Sequence, residues 1–244
     1  MTKNTPPPNI SLVIPAYNEE KYIGACLSHA LQSSGGKFFE IIVIDNASTD
    51  ETRAVAEKFP HVRVVREEKK GLTQARQRGF EEARGDLIAY IDADTAMPHG
   101  WYETAREEFV RHPRLACLSG PYIYFDIPPF QQFLVKCYWY ILAMPIYVLV
   151  GYMTVGGNFV IRKSVLEQMH GFDTSIAFYG EDTNIARRAH AFGKVKFMPS
   201  FVMATSGRRL AGQGALSTAL VYMANFLSEV LFHKPVNKEY QDIR

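Results

Sequence analysis

The sequence predicts an α/β fold, a mostly parallel central sheet that is flanked by helices. Two observations support this prediction. Throughout the first half of the 244-residue chain, short apolar runs alternate with segments whose apolar residues recur at helical spacing. Glycine or polar turn residues separate the two kinds of segment, as they do in repeated strand–helix–strand units.

The first unit is a strand predicted at residues 10–15, followed by a helix that begins near Asn18 and ends at Gly35-Gly36. The residues that recur on one face of this helix are apolar, so we expect that face to pack against the sheet. These residues are Tyr22, Ile23, Cys26, Leu27, Ala30 and Leu31.

The next two strands follow the same plan. A buried strand is predicted at residues 38–44. Ser48 and Glu51 then form a capping-box pattern, which predicts a helix from there to about Phe59. A third short strand is predicted at residues 61–66.

A third helix at residues 72–84, closed by Gly85, leads to a fourth strand at 87–91. Polar clusters follow three of the four strands. They are Ala16-Tyr17-Asn18-Glu19, Asp45-Asn46 and Asp92-Ala93-Asp94. Because parallel strands present their carboxyl ends at one edge, where open α/β sheets bind ligands, the clusters predict a ligand site there. A single acidic residue at such a position is more typical of a helix cap, so the prediction depends on the repetition.

Composition narrows the class of protein and its compartment. Lys and Arg total 27 against 25 Asp and Glu, a net charge of +2, so no nucleic-acid partner is indicated. Cys26, Cys117 and Cys137 have no metal-binding spacing and lie among apolar residues, which indicates reduced core thiols. Residues 1–9 contain no apolar signal segment, so we expect a disordered lead-in and a cytoplasmic protein.

Asp92 and Asp94 stand two residues apart at the end of an apolar strand. Residues i and i+2 of an extended chain share a face, so the two carboxylates point into the same space and repel unless a cation or a donor lies between them. Divalent Mg²⁺ or Mn²⁺ favours such oxygen ligands, and substrate phosphates commonly complete its coordination. A solvated turn is the alternative, because D-x-D patterns also occur by chance.

Five segments, in order and spacing, resemble the inverting family 2 glycosyltransferases. Together they cover about residues 10–193. Each is a weak signal alone, and the ordered set is specific. The segments are VIPAYNEE (13–20), VIDNASTD (43–50), GLTQARQRGFEEARGDLIAYIDADT (71–95), GGNFVIRKSVLEQMHGFD (156–173) and GEDTNIARRAHAFG (180–193).

The resemblance implies a GT-A fold with C-terminal helices on the acceptor side. It divides the chain into a nucleotide-sugar-binding half at 10–96, an acceptor-binding and catalytic half at 97–207, and a helical region at 208–244. It also implies a nucleotide-sugar donor, a UDP-sugar somewhat more than a GDP-sugar, and a divalent cation, Mn²⁺ or Mg²⁺. The acceptor would be a sugar, a polyprenyl-linked molecule or a glycolipid.

Carried over position by position, the resemblance also assigns a donor site. The residues placed around the nucleoside are Pro15, Ala16, Tyr17 and Glu19. Asp45 would contact the base, and Arg76 matches the arginine of the segment before the D-x-D strand, with a solvated helix residue as the alternative. Asp92 would lie near the ribose or the metal, Ala93 follows it, and Asp94 would ligate the metal on the diphosphate.

Asp182 matches the catalytic base of the family. The chemistry agrees, because an attacking hydroxyl needs a carboxylate that accepts its proton. The alternative for Glu181-Asp182 is a pair of acids that compensates the dipole of a first helical turn. Gly157, in the pair Gly156-Gly157, would let the backbone approach the sugar closely, unless the pair is only a tight turn.

The segment TSGRRLAGQG (205–214) departs from the family pattern. Processive polysaccharide synthases carry Gln-x-x-Arg-Trp in the equivalent region, and no Trp is present here, which favours a single transfer. Arg208 and Arg209 would contact the diphosphate, since guanidinium pairs with phosphate oxygens. A solvated basic turn is the alternative.

Two stretches are apolar enough to meet a membrane. Residues 137–161 carry no charge, and within the apolar segment 133–155 Pro145 predicts a break into two short helices. A single crossing would put Asp94 and Asp182 on opposite sides, so contact in the membrane plane is favoured over a span.

The second stretch, residues 215–232, sets apolar residues on one helical face. They are Leu216, Leu220, Met223, Leu227 and Leu231. Four interpretations stay open for both stretches: a peripheral contact at the inner face of the membrane, a lipid-linked acceptor site, ordinary core, or a homodimer interface.

Two functions from other classes compete with sugar transfer. IDADTA fits the D-x-D-x-T pattern of haloacid dehalogenase-type phosphohydrolases, and LACLS resembles their later strand that ends in Ser. That motif belongs on the first strand of such a domain, whereas here three predicted strands precede it. A catalytically silent nucleotide-binding module is the other alternative, which the presence of both Asp94 and Asp182 argues against.

Overall fold

The structure, a computed structural model, describes residues 6–236, without the side chains at positions 211, 213, 215, 216 and 218. Residues 6–9 of the predicted lead-in belong to no helix or strand, and the rest of it lies outside the described range. The last eight residues of the predicted C-terminal helical region, 237–244, also lie outside it.

The central sheet is mostly parallel on its N-terminal side, as the sequence predicts. The strands in chain order are β1 Ile10–Ala16, β2 Glu40–Asp45, β3 Val62–Arg66, β4 Leu87–Ile91, β5 Thr95–Ala96, β6 Leu115–Ser119, β7 Tyr122–Tyr124, β8 Asn158–Arg162, β9 Lys194–Phe197 and β10 Met203–Thr205. The seven-stranded sheet has the order β3-β2-β1-β4-β8-β6-β9, and β8 runs antiparallel to both of its neighbours. A small second sheet, β5-β10-β7, lies beyond the carboxyl end of β4.

Helices cover both faces of the large sheet. In chain order they are α1 Ile23–Ser34, α2 Thr52–Ala56, α3 Leu72–Glu82, α4 Trp101–Arg111, α5 Pro129–Cys137, α6 Met144–Val150, α7 Lys163–Gln168, α8 Glu181–His190, α9 Arg208–Gln213 and α10 Ala215–Phe232. Alternating strand residues divide the core between the faces. Leu12 and Ile14 pack with α1 and α4, whereas Val13 packs with α3, α7 and α8.

The predicted capping box at Ser48 and Glu51 is wrong. The Ser48 hydroxyl instead accepts a hydrogen bond from the backbone N–H of Asn18, which ties the β2–α2 loop to the β1–α1 loop. Asp50 takes over at the start of α2, where its carboxylate accepts from the backbone N–H of Thr52. Because the Ser48 side chain is used across the edge of the sheet, α2 begins later than predicted and ends at Ala56.

The predicted break at Pro145 is also wrong. Residues Pro129–Val150 form one 22-residue helix, hereafter the apolar helix, in which the π-helical segment Tyr138–Ala143 joins α5 to α6. Pro145 lies in the first turn after the π segment, where the missing N–H of proline is tolerated. Among the described helices, only this one is long and apolar enough to cross a membrane by length and composition.

The apolar helix lies along the body of the protein and exposes most of its surface. The Trp139 indole donates to the carbonyl of Tyr122, and the Tyr147 hydroxyl donates to the carbonyl of Val195. The opposite side carries apolar residues in contact with solvent. Its most exposed side chains are Phe130, Ile141, Val148 and Leu149.

The predicted apolar face of α10 also points outward. Leu220, Leu227 and Leu231 are exposed, and the side chain of Leu216 is outside the description. The buried residues are polar: Glu229 is fully buried and accepts hydrogen bonds from Asn184 and Arg187 of α8. This ion pair fixes which side of α10 faces the protein, so Leu220, Leu227 and Leu231 cover no core.

Candidate active site

The carboxyl ends of β1 and β2 form a closed polar edge, as predicted. Asp45 is fully buried, and its carboxylate accepts from the backbone N–H of Ser48 and pairs with Arg66 at 3.1 Å. Pro15 and Ala16 end β1 beside it, and the backbone N–H of Asn46 donates to the carbonyl of Ala16.

Tyr17 and Glu19 follow β1 but face different groups. The ammonium of Lys70 lies 3.9 Å from the ring centroid of Tyr17, on the side of the β3–α3 loop. The backbone N–H of Glu19 donates to the Thr52 hydroxyl at 2.7 Å, which fixes this residue against α2. The carboxylate of Glu19 turns toward Arg208, as described below.

Asp92 lies at the end of β4 and is partly exposed. The Tyr122 hydroxyl donates to its Oδ2 at 2.7 Å, and the Arg76 guanidinium lies 3.6 Å from its Oδ1. Gly157 packs directly on this group: a Cβ at that position would lie 1.9 Å from the Tyr122 hydroxyl and 2.3 Å from the Asp92 carboxylate. Only glycine fits, so Gly157 makes room for the site's own side chains.

Arg76 is the buried centre of the site. Its guanidinium forms an ion pair with Glu181 and donates to the carbonyl of Gly156 at 2.7 Å. Both Arg76 and Glu181 are almost fully buried, so each needs the other charge. Burial raises the pKa of Glu181, and the Arg76 charge opposes that rise. The solvated-helix interpretation of Arg76 is therefore wrong.

Asp94 lies deeper than Asp92 and has a different partner. The Nε–H of Arg208 is 3.0 Å from its Oδ2, and the Thr205 hydroxyl is 3.4 Å from its Oδ1. Burial and the neighbouring charge of Asp92 raise the pKa of Asp94 to about 7, against the lowering effect of Arg208. A cation close to this carboxyl group would favour its charged form, because the two opposite charges attract.

Arg208 joins the D-x-D motif to the first polar cluster. Its two terminal nitrogens donate to the Glu19 carboxylate at 2.6 and 2.9 Å, while its Nε–H reaches Asp94. The guanidinium also lies 4.8 Å from the ring centroid of Tyr22. Its neighbour Arg209 points elsewhere, 4.5 Å from the ring centroid of Phe178. The two adjacent arginines of α9 thus contact different aromatic rings.

Asp182 is the second residue of α8, a helix that begins directly after Gly180, whose backbone is left-handed with φ of 81°. Its carboxylate accepts from the backbone N–H of Thr183 at 2.8 Å. Burial raises the pKa of Asp182, and this carboxylate in turn raises the pKa values of Tyr138 and Tyr222, after burial itself. The Asp182 carboxylate therefore acts electrostatically on side chains of both the apolar helix and α10.

The carboxylate oxygens of the site suit a divalent cation whose remaining coordination positions are filled by a ligand. No cluster of three His, Cys, Asp or Glu side chains that could enclose a metal alone occurs among residues 6–236. Asp92 and Asp94 supply carboxylate oxygens, and the guanidinium of Arg208 already stands at Asp94 as a cation. Mg²⁺ and Mn²⁺ commonly bind through one or two carboxylates and complete their shell with water and phosphate, so the residues fit.

The structure brings most of the predicted residues to one site and adds others. Ala93 is buried between Asp92 and Asp94. Tyr122 and Thr205, which belong to the small sheet, were not predicted. Tyr122 contacts Asp92, 30 residues away in the sequence, and Thr205 contacts Asp94, 111 residues away. No local sequence pattern marks such contacts.

Comparisons with known proteins agree with the geometry. The family model described as glycosyl transferase family 2 matches residues 11–169, more than half of the chain. The chain belongs to this family. The resemblance predicted from the five sequence segments is thereby confirmed.

Curated relatives of the family align only in part. The putative glycosyltransferase EpsH of Bacillus subtilis is 36% identical over 91 residues, which cover 36% of this chain and 26% of EpsH. Dolichol-phosphate mannosyltransferase of Pyrococcus furiosus is 38% identical over 94 residues, which cover 36% of this chain and 26% of that protein. The aligned segments span 26% to 40% of the length of the first three such relatives.

Solved structures confirm the predicted GT-A fold. Mannosyltransferase PcManGT from Pyrobaculum calidifontis, in complex with GDP-Man and Mn²⁺, matches with a TM-score of 0.66 and 20% identity over 91% of this chain and 63% of its own. Glucosyl-3-phosphoglycerate synthase from Mycobacterium tuberculosis, with Mn²⁺, UDP-Glc and phosphoglyceric acid, matches at 0.63 and 21%, over 91% and 80%. At these identities the likeness concerns the fold.

Proposed function

We propose that this family 2 chain carries the donor-binding and catalytic parts of an inverting glycosyltransferase. One observation supports this most strongly. Buried Arg76 contacts both Asp92 of the D-x-D motif and Glu181, the residue before Asp182. The donor-side half, 10–96, and the acceptor-side half, 97–207, therefore share one network of charges at the point where a reaction between two substrates would occur.

The donor would be a nucleotide sugar whose nucleoside lies over the closed edge at Asp45 and Tyr17. Asp94, with Asp92 beside it, would hold a divalent cation, Mn²⁺ or Mg²⁺, which supplies positive charge to the departing diphosphate. Arg208 is close enough to Asp94 to pair with diphosphate oxygens as well. We expect a UDP-sugar rather than a GDP-sugar.

Asp182 would act as the general base. It takes the proton of the attacking acceptor hydroxyl while the bond between the sugar and the diphosphate breaks, so one displacement inverts the sugar carbon. Burial keeps the pKa of Asp182 above its usual value, which makes it a stronger base than an exposed aspartate. Glu181 cannot do this work in the same way, because it is paired with Arg76.

The acceptor would be lipid-linked, and the protein would bind a membrane surface from the cytoplasmic side. The side chains electrostatically coupled to Asp182 include Tyr138 of the apolar helix and Tyr222 of α10. Phe226 of α10 packs into the same apolar cluster as the apolar helix, so the two exposed apolar surfaces are neighbours. The hydrogen bonds of Trp139 and Tyr147 to the body favour contact in the membrane plane over a crossing.

The phosphohydrolase alternative has no support in the site. Asp92 follows the fourth strand of the sheet, and Tyr122 already donates to its carboxylate. Ser119, the candidate serine of LACLS, is fully buried and donates to the carbonyl of Asn158. These contacts of Asp92 and Ser119 favour sugar transfer over the phosphohydrolase alternative. The absence of Trp in residues 205–214 supports a single transfer over polymerisation.

A thermal-shift screen tests the donor site. UDP, GDP and CMP are compared with and without Mn²⁺, and we expect the largest rise in Tm from UDP with Mn²⁺. A ligand at a hundred times its Kd adds about 2.7 kcal/mol to the free energy of unfolding. Asp94→Ala should lose the metal-dependent part, whereas the matched control Asp86→Ala, on an exposed residue before β4, should keep it. A wild-type protein that no nucleotide stabilises would contradict the proposal.

A further inference from the structure

Arg208 is held at the donor site by two acidic residues that are far apart in the sequence. Its fork donates to both carboxylate oxygens of Glu19, and its Nε lies 3.0 Å from Oδ2 of Asp94 in an ion pair. Glu19 is 5% exposed, and the side chain of Asp94 is 11% exposed. Charge-assisted contacts of this kind, in a place that water reaches poorly, are stronger than those on a surface.

The position of the guanidinium matters because Asp94 is also the residue best placed to hold a cation. An exchangeable divalent ion at Asp94 needs a carboxylate oxygen with a free lone pair directed at it, at about 2.0–2.1 Å for Mg²⁺. Arg208 lies against Oδ2, and Thr205 lies on the side of Oδ1. Two positive charges at one buried carboxylate would repel each other strongly.

Glu19 provides an anchor for the arginine that does not depend on Asp94. The backbone of Glu19 is fixed by the Thr52 hydroxyl at its N–H and by the first turn before α1 at its carbonyl. The Tyr22 ring lies beside the guanidinium. Arg208 can therefore give up its contact with Asp94 and stay at the site through Glu19 and Tyr22.

We propose that Arg208 is the resident cation of Asp94, and that a divalent ion binds there only by displacing the guanidinium, which Glu19 then retains within reach of the diphosphate. This inference rests on the proposed donor site. It makes Arg208 a positioning residue with two states. In the empty site it neutralises Asp94, and in the loaded site its charge is available to the donor.

The proposal predicts effects of opposite sign on two measured affinities. Without nucleotide, Arg208→Gln should bind Mn²⁺ about tenfold more tightly than the wild type. If Arg208 leaves Asp94 free for about a tenth of the time in the wild type, the apparent Mn²⁺ affinity of the wild type is reduced by that factor. With Mn²⁺ present, the same variant should bind the nucleoside diphosphate more weakly, because a diphosphate contact is lost. Arg208→Lys, which keeps the charge without the fork, should fall between wild type and Arg208→Gln in Mn²⁺ affinity.

The Mn²⁺ affinity is measured from the EPR signal of the free ion, and nucleotide affinity by calorimetry with UDP. Arg209→Gln is the matched control, since it removes one positive charge from the next position of α9, on the side of Phe178. Adding Asp94→Asn to Arg208→Gln should abolish the gain. Circular dichroism confirms that each variant is folded.

Equal gains in Arg208→Gln and Arg209→Gln would show a general charge effect and overturn the proposal, as would an unchanged or weaker Mn²⁺ affinity in Arg208→Gln. A failure of the proposed donor site looks different. In that case UDP with Mn²⁺ would not stabilise the wild-type protein, whatever the variants do.

Discussion

The proposed donor side and the proposed acceptor side of this protein differ in how their surface groups are paired. At the donor side, every carboxylate of the site has a partner within the chain: Arg66 for Asp45, Arg208 for Asp94 and Tyr122 for Asp92. At the acceptor side, the apolar helix leaves Val148 and Leu149 75% and 86% exposed.

The difference indicates what each side is built to meet. Paired charges hold the side chains of the donor side in place before a ligand arrives, so binding of a small charged molecule requires only the local exchange proposed for Arg208. Neighbouring exposed apolar helices leave surface that only another apolar surface can cover. Asp182 lies where the two sides meet.

The largest effect is expected from Asp182→Asn, which breaks the link between the two sides. Loss of a general base should lower kcat by about 10²- to 10⁴-fold while the affinity for the nucleotide is kept. Steady-state kinetics and UDP calorimetry measure the two effects. Asp173→Asn, in the exposed loop before α8, is the control and should leave both unchanged.

The pH dependence sharpens the same prediction. The base must be ionised, and burial raises its pKa, so kcat/KM should fall as the pH decreases and should begin to fall above the ordinary aspartate value of about 3.9. An Asp182→Asn variant with normal turnover would contradict the assignment. It would instead favour a phosphate acceptor, whose oxygen is already ionised near neutral pH and needs no base.

A smaller effect is expected from Gly157→Ala, which tests whether the donor side is as closely packed as described. The new Cβ would collide with the Tyr122 hydroxyl and the Asp92 carboxylate, so we expect a loss of about 1–3 kcal/mol in the free energy of unfolding. Weaker Mn²⁺-dependent UDP binding should accompany the loss. Urea denaturation and calorimetry measure both.

Gly24→Ala is the matched control for this substitution. Gly24 lies in the first turn of α1, where an added Cβ would be 3.4 Å from Val55, so alanine is expected to be neutral or slightly stabilising. If Gly157→Ala matched wild type in both measurements, the site would be looser than its contacts indicate.

The donor side was also the more predictable region, for a physical reason. Asp45, Asp92 and Asp94 were predicted because parallel strands place local sequence clusters at one edge. For α10 the sequence left four interpretations open, because the apolar pattern does not reveal the pair of Glu229 and Arg187 that directs the other side of the helix toward the protein. Glu19 was placed at the nucleoside, and its pairing with Arg208 joins residues 189 positions apart.

The smallest effect on the folded protein is expected from the double substitution Val148→Ser and Leu149→Ser on the apolar helix. Both side chains are exposed, so the free energy of unfolding should change by no more than about 0.5 kcal/mol. Binding to vesicles of phosphatidylcholine and phosphatidylglycerol should weaken by at least about tenfold, since each buried aliphatic side chain contributes about 1.5–3 kcal/mol. Vesicle co-sedimentation measures this.

Val110→Ser, at an exposed apolar position of α4, is the control and should bind vesicles as the wild type does. Size-exclusion chromatography tests the alternative that a second copy of the chain covers this surface. If the wild type were a dimer in solution and the double variant a monomer, with no vesicle binding by either, a second copy of the chain would cover the helix. The exposed leucines would then make an interface between subunits, and the acceptor would be expected to reach Asp182 from water rather than from a lipid surface.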